Sequence, residues 1–252
     1  MTNYQGNMTI VSKRELVKDV YEMILEGDGA SYIRAPGQFI NIKINDSLQP
    51  YLRRPMSICD YDENHITLIF RVVGEGTKIL AAKHIGEQLD CLIGLGNGFV
   101  DLDKKSAVVI GGGLGVPPMY KLAKELVKNG TKVTAILGFN SVSDVFYKEK
   151  FEQICPTYIA TMDGSIGYKG TVVDVLENHQ LEMEVYYSCG PEKMLDALAL
   201  KYPENGYLSF EARMGCGFGA CMGCSCKVKT KPYKRICVEG PVLLSSEVIV
   251  NG

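Results

Sequence analysis

Four of the nine cysteines in this 252-residue chain crowd into one segment, Cys216-Gly-Phe-Gly-Ala-Cys221-Met-Gly-Cys224-Ser-Cys226, and a fifth, Cys237, follows shortly beyond it. The N-terminal residues lack a basic stretch followed by a long apolar run, so a secretory signal is not expected. Thiols concentrated in this way then point to metal or redox chemistry before disulfides. Cys216-x4-Cys221-x2-Cys224 followed by a distant Cys237 is the plant-type [2Fe–2S] spacing. The loop must curl around the cluster and present three thiolates within a few residues, and the interleaved glycines allow those turns while admitting backbone N–H groups to the sulfurs. A four-cysteine zinc site commonly shows two separated C-x2-C pairs, and only one occurs here. Cys226 lies two residues past Cys224 and faces the same side of an extended chain. The spacing is complete without it, and it reads as a small buried thiol beside the cluster.

Ahead of that segment the chain changes character once. Residues 8–100 carry short strand-like runs, Met8–Ser12, Val20–Leu25, Gln38–Ile44, Met56–Tyr61, His65–Val73 and Gln88–Leu92, punctuated by Gly and Pro. Such a series predicts a small antiparallel β-barrel or sandwich. One helix is expected within it, over Lys78–His84 with Thr77 as its cap. After Asp101, strands at Ala107–Ile110, Thr131–Leu137, Thr157–Thr161 and Glu184–Ser188 alternate with helices at Pro118–Asn129, Asp144–Ile154, Lys169–Asn178 and Glu192–Lys201. This alternation implies βαβ units on a parallel sheet. The remainder, from about Tyr207, is too small to bury much apolar surface and is expected to need a metal centre to fold. The expected division is a barrel over 1–102, an α/β domain over 103–206 and a cysteine domain over 207–252.

Three further signals bear on ligands. Arg54-Pro55-Met56-Ser57 joins two strand-like runs, and an arginine near a serine is by itself usually plain surface. It gains weight from Arg71-Val-Val-Gly-Glu-Gly76-Thr77, which opens the helix expected in the barrel region. A helix N-terminus preceded by glycines offers free N–H donors and a positive dipole end to a pyrophosphate, and an arginine adds charge-assisted contacts. Together they form a candidate FAD site. Gly111, Gly112, Gly113 and Gly115 join the first α/β strand to its helix, where a dinucleotide can approach the backbone closely, although the run departs from a strict G-x-G-x-x-G. The second strand ends Leu137-Gly-Phe-Asn140, without the acidic residue that often holds an NAD ribose and without an arginine for a 2′-phosphate, which favours NAD. Ser188-Cys189-Gly190-Pro191 follows the last strand at the carboxyl edge where such sheets bind ligands. Alone, it reads as a buried cysteine before a helix-starting proline.

The order of these signals, R-P-M-S with G-E-G-T, then G-G-G-L-G-V-P-P with C-G-P, then the cysteine loop, resembles the ferredoxin–NADP reductase superfamily. Within it, E-A-R-M-G-C-G-F-G-A-C-M-G-C and R-I-C-V-E-G-P-V are similar to the electron-transfer chains of bacterial type B dihydroorotate dehydrogenases, over nearly the whole chain. The resemblance implies that Arg54 binds FAD phosphate, that Pro55, Met56 and Ser57 lie beside the flavin, and that Ile69, Phe70 and Arg71 line its isoalloxazine or adenine side. Gly76 and Thr77 would meet the pyrophosphate, and Cys216, Cys221, Cys224 and Cys237 would ligate the [2Fe–2S] cluster. Gly111, Gly112, Gly113, Gly115, Cys189, Gly190 and Pro191 are the candidate NAD(H) residues. No catalytic residue is assigned beyond Cys189 as a candidate near the nicotinamide. Met56 departs from the superfamily, many of whose members place an aromatic there against the flavin.

The resemblance further implies electron transfer between NADH and an FMN-containing dihydroorotate dehydrogenase catalytic subunit, in pyrimidine (UMP) biosynthesis in the cytoplasm. Two chains of each kind would form a heterotetramer. A (β/α)8 catalytic barrel normally takes about 250 residues, so the orotate chemistry falls to a separate chain. Met214, Phe218 and Met222 on the cysteine loop are apolar side chains expected to lie under that partner. Neither nucleic acid nor membrane is an expected partner: the net charge is -2 with scattered basic residues, and the apolar runs are too short to span a bilayer. Two other readings stand beside this one. A related NAD(P)H diaphorase subunit would serve a sulfite reductase, a hydrogenase or a ferredoxin. A zinc-stabilised binding module would leave both glycine-rich turns without a purpose.

Overall fold

A computed structural model describes residues 3–47 and 49–250. The N-terminal Met1 and Thr2, Leu48, and the last two residues of the 207–252 segment lie outside the described residues. The strands β1 (Tyr4–Val17), β2 (Val20–Glu26), β3 (Phe39–Ile42), β4 (Arg54–Tyr61), β5 (His65–Arg71) and β6 (Gln88–Leu95) close into a barrel in the order β1-β2-β5-β4-β3-β6, every pair antiparallel. Alternation sets its inside: Ile66, Leu68 and Phe70 of β5 point into a core with Met8, Ile10 and Met23. The barrel helix α1 (Glu75–Ala82) begins earlier than the sequence pattern predicts, and Thr77 is not its cap but its third residue. From there the Thr77 hydroxyl reaches back, accepting from the N–H groups of Val73 and Gly74 at 3.0 and 3.1 Å. Those are donors that the start of the helix would otherwise leave unpaired.

The second half forms a sheet in the order β10-β9-β8-β7-β11-β12-β15. Its strands and helices are β7 (Ser106–Gly112), α2 (Val116–Lys128), β8 (Lys132–Phe139), α3 (Lys148–Glu152), β9 (Thr157–Thr161), β10 (Tyr168–Lys169), α4 (Val172–His179), β11 (Val185–Cys189), α5 (Glu192–Lys201) and β12 (Gly206–Ser209). All these strands run parallel. Beyond them, β13 (Ser225–Cys226) and β14 (Lys234–Arg235) make a small antiparallel ribbon, and β15 (Val242–Leu244) returns antiparallel to β12. Strands on either side of the cysteines therefore belong to the same sheet as the nicotinamide-type βαβ units. No helix among the described residues is long and apolar enough to cross a membrane.

Two helix assignments from sequence are corrected. Asp144–Ile154 is not one helix: a 3-10 turn at Val142–Asp144 gives way to extended backbone, and α3 starts only at Lys148. The interruption places Phe146 and Tyr147 in the core, with Tyr147 in the left-handed region at φ 65°. Lys169 belongs to β10, because Thr171 caps α4 with its hydroxyl accepting from the Asp174 N–H at 3.2 Å.

Tyr147 is spent on the junction between the two halves. Its hydroxyl donates to Glu22 of β2 at 2.5 Å, Lys150 donates to the same oxygen at 3.2 Å, and Arg14 donates to the other at 2.6 Å. Burial alone would raise the Glu22 carboxyl, but the bonds from Arg14, Tyr147 and Lys150 outweigh it and hold the group below its ordinary 4.5. A depressed carboxyl contributes its stability above the unfolded value and loses it as pH falls through the folded one. Glu22→Gln should therefore cost about 2 kcal/mol at pH 7, and the gap to wild type should close as pH is lowered from 4.5 through the depressed folded value. Thermal melts of both proteins across that range check it; a gap that stays constant would count against the latch.

Candidate functional site

The antiparallel pairing of β4 with β5 sets the start of one beside the end of the other, and a cavity of about 280 Å³ opens there. Arg54, Pro55, Met56, Ser57, Ile69, Phe70, Arg71 and Thr77 line it. Gly76 does not, yet it matters: a Cβ at Gly76 would sit 2.4 Å from Arg54 Nε, so the guanidinium packs directly over the first turn of α1. Arg71 Nε is buried without a hydrogen-bond partner, while its Nη2 donates to Asp144 at 3.2 Å. The cavity thus pairs apolar faces from Pro55, Met56, Ile69 and Phe70 with two guanidinium groups and a helix start. An apolar ring system carrying a pyrophosphate fits that donor set.

A second cavity, about 580 Å³, lies at the carboxyl edge of the parallel sheet. It sits where β8 and β11 flank β7 and the chain order reverses, the crevice position for ligands in open α/β sheets. Gly112, Gly113, Gly115, Gly190 and Pro191 line it, whereas Gly111 and Cys189 do not. Gly111 packs on Val116, which a Cβ would meet at 2.7 Å. Cys189 is 2% exposed in the sheet core, and burial pushes its thiol up to about 12, so it stays protonated. Its carbonyl, not its sulfur, shapes the crevice: a Cβ at Gly115 would lie 2.0 Å from Cys189 O. Gly115→Ala should force the two turns apart and weaken NADH binding at least about tenfold, a loss of ~1.4 kcal/mol or more. Titration of the protein with NADH tests this; an unchanged affinity would remove the crevice from the nicotinamide path.

The cysteine loop lies along the same crevice, with Cys224 and Cys226 in its wall. None of the nine cysteines is paired in a disulfide. Cys216 and Cys221 exchange bonds, each N–H donating to the other's Sγ at 3.4 Å, and the Cys237 N–H donates to Cys224 Sγ at 3.4 Å. The four thus meet as two pairs. Among the described residues no three of His, Cys, Asp or Glu converge as on a single metal ion. Burial opposes the Cys216 thiolate, but N–H groups of Cys221, Phe218 and Ala220 overcome it and bring the thiol down to about 6. Burial beside Cys224 pushes Cys237 up to about 12, a proton that a metal centre would displace. Cys226 is half-buried and burial raises its thiol. Phe218 and Met222 are exposed, whereas Met214 turns into the first cavity.

Sequence reasoning missed the residues that join the three parts. Phe210, Glu211 and Ala212 follow β12 and line both cavities, as do Arg71 and Leu114. Glu211 touches solvent within the crevice but is crowded by protein, and this desolvation raises its carboxyl. Asn41 of β3 is buried and donates to Cys216 O at 3.4 Å. Asn97 donates to Val242 O at 2.8 Å and accepts from the Val242 N–H at 3.1 Å, tying the barrel's end to β15. The only sequence signal for the first of these was the E-A-R run preceding the cysteines.

Residues 211–249 match the model of the iron-sulfur cluster binding domain of dihydroorotate dehydrogenase B, and residues 109–199 that of the oxidoreductase NAD-binding domain. The chain is similar to the electron transfer subunit of dihydroorotate dehydrogenase B (NAD(+)) from Bacillus mycoides (strain KBAB4), 44% identical with 97% of this chain and 98% of that one covered. The Bacillus cereus (strain G9842) subunit matches at the same identity and coverage. Among solved structures, one described by its NADH-dependent reduced ferredoxin-NADP oxidoreductase superposes with a TM-score of 0.87 at 27% identity, covering 96% of this chain and 90% of that one. The ferredoxin reductase of a carbazole 1,9a-dioxygenase shares the fold, with a TM-score of 0.68 at 19% identity over 80% of this chain and 65% of its own. With relatives this similar along nearly its whole length, and with its cysteine segment and βαβ units matched separately, the chain belongs to the family of electron-transfer subunits of NAD-linked dihydroorotate dehydrogenase B.

Proposed function

We propose that this subunit carries electrons between NADH in the sheet crevice, FAD in the barrel cleft and a [2Fe–2S] cluster on Cys216, Cys221, Cys224 and Cys237, exchanging them with an FMN-bearing catalytic chain. The observation that carries the reading is the shared wall: Arg71, Leu114, Phe210, Glu211 and Ala212 line both cavities, and Cys224 lies in the second. When bound, the flavin takes the hydride's electron pair and the cluster passes electrons singly. The chain's own residues do the placing. Arg54 holds phosphate over α1, Arg71 supplies a second cation, and Gly112–Gly115 with Gly190–Pro191 admit the nicotinamide dinucleotide to the backbone. Among the described residues Arg71 is the one cation lining the crevice, in a wall that also holds Glu192 and Glu211, and its Nη2 is already bonded to Asp144, so a 2′-phosphate gains little there and NADH should reduce the protein faster than NADPH. Two pairs of thiols suit two irons with two thiolates each.

Exposed Phe218, Met222, Tyr233 and Val238 around the cysteine loop are the surface on which the catalytic chain would sit, two of each chain forming a heterotetramer in the cytoplasm. The likeness to the ferredoxin-NADP oxidoreductase structure keeps a diaphorase serving another acceptor as the second reading. One experiment separates them. The isolated subunit with NADH should reduce an artificial dye and leave orotate untouched, and NADH-linked orotate chemistry should appear only when the FMN-bearing chain is added. Orotate turnover by the subunit alone, or none with both chains, would overturn the proposal.

A further inference from the structure

Between Cys216 and Cys221 the loop is held from outside by Arg235 of β14. Its Nη1 donates to Gly219 O at 2.8 Å. The same guanidinium is anchored behind by Glu239, whose Oε2 accepts from Arg235 Nε at 3.3 Å and from the Arg235 backbone N–H at 3.0 Å, and Lys231 donates to the other Glu239 oxygen at 2.8 Å. Gly219 is at φ +91°, and a Cβ there would meet Val238 at 2.6 Å and Arg235 Nη1 at 3.2 Å, so the approach depends on glycine.

The peptide that Arg235 grips has a second end. In a planar trans peptide the C=O and the following N–H point in opposite directions. With Gly219 O turned outward to Arg235, the Ala220 N–H is turned inward, and it donates to Cys216 Sγ at 3.2 Å. The next N–H, of Cys221, donates to the same sulfur at 3.4 Å. Hydrogen bonds to ligand sulfur stabilise the extra negative charge of a reduced cluster and raise its potential.

We propose that Arg235 is a positioning residue that sets the reduction potential of the cluster by aiming the Gly219–Ala220 peptide at Cys216 Sγ. The inference rests on Cys216 being a cluster ligand, as in the proposed function. A purely structural staple between β14 and the loop would explain lost iron in an Arg235 variant, but it would leave the potential of the remaining cluster where it was.

The test is an EPR-monitored redox titration of the full-length holoprotein, with iron content measured alongside. Arg235→Gln should shift the cluster's reduction equilibrium about tenfold toward the oxidised form, about 59 mV lower for one electron. Arg235→Lys keeps the positive charge, but a single ammonium cannot hold Gly219 and Glu239 as the planar fork does. It should shift the potential in the same direction by less, and it carries the test if the Gln variant does not retain iron. A wild-type potential in Arg235→Lys would overturn the positioning role while leaving the ligands in place. A cluster that persists in Cys216→Ala would instead overturn the ligand reading and the inference with it.

Discussion

Ala at Cys216, Cys221, Cys224 or Cys237 is expected to abolish iron–sulfur absorption, whereas Cys226→Ala keeps it. The four cysteines meet as two pairs, each joined by backbone N–H bonds to sulfur, and a cluster with three ligands lacks the fourth thiolate that closes an iron's shell. Loss should be close to complete rather than graded. Cys224→Ala and Cys237→Ala should also lower the melting temperature most. These side chains are 4% and 2% exposed and pack with Val228, Ile236 and Leu243, so the same change empties part of the core. Iron analysis and visible spectra of the five variants decide it. Iron lost from Cys226→Ala and retained in Cys224→Ala would exchange those two in the ligand set.

Arg54→Ala is expected to release FAD. A charge-assisted hydrogen bond is worth about 1.5–3 kcal/mol, which is roughly 10- to 150-fold in affinity. The structure adds a second route to the same loss. Gly76→Ala leaves the arginine in the sequence but drives a Cβ to 2.4 Å from its Nε, so the guanidinium must leave the start of α1. Flavin affinity should fall about tenfold in Gly76→Ala. Both are measured by flavin retained on gel filtration and by titration of the apoprotein. If Gly76→Ala binds FAD as tightly as wild type, the placement of Arg54 over the helix start is not what holds the phosphate.

Local features were legible wherever a short stretch carries its own constraint. Glu192–Lys201 is helical with the limits that its pattern predicts, because Pro191 starts it and its apolar positions recur at helical spacing. The barrel strands appeared as short runs punctuated by Gly and Pro, because the chain must turn back between antiparallel neighbours. Misjudged elements were those whose conformation answers to a distant contact. Asp144–Ile154 carries the helix formers Lys148, Glu149, Lys150, Glu152 and Gln153, but Tyr147 breaks the run to reach Glu22, 125 residues away in sequence. Thr77 looked like a cap because Ser and Thr favour that position, but Gly74 takes it.

The same division applies to function. Cysteine spacing and glycine-rich turns are local patterns, since a loop curled around a cluster and a backbone approached by phosphate both need particular residues at fixed intervals. The sequence by itself therefore determined an iron–sulfur segment, a nicotinamide-type α/β unit and their order along the chain. Which residues connect the centres depended on chain segments far apart in sequence, and only the tertiary structure decided it. Phe210–Ala212 become the shared wall because β12 ends beside β11 at the carboxyl edge. Cys189 withdraws from the crevice because its strand lies at the middle of the sheet. Arg235 reaches the peptide between two cysteines because a two-stranded ribbon folds back over the loop. No interval along the chain encodes these meetings, because each is fixed by how the strands pair and where the buried faces pack.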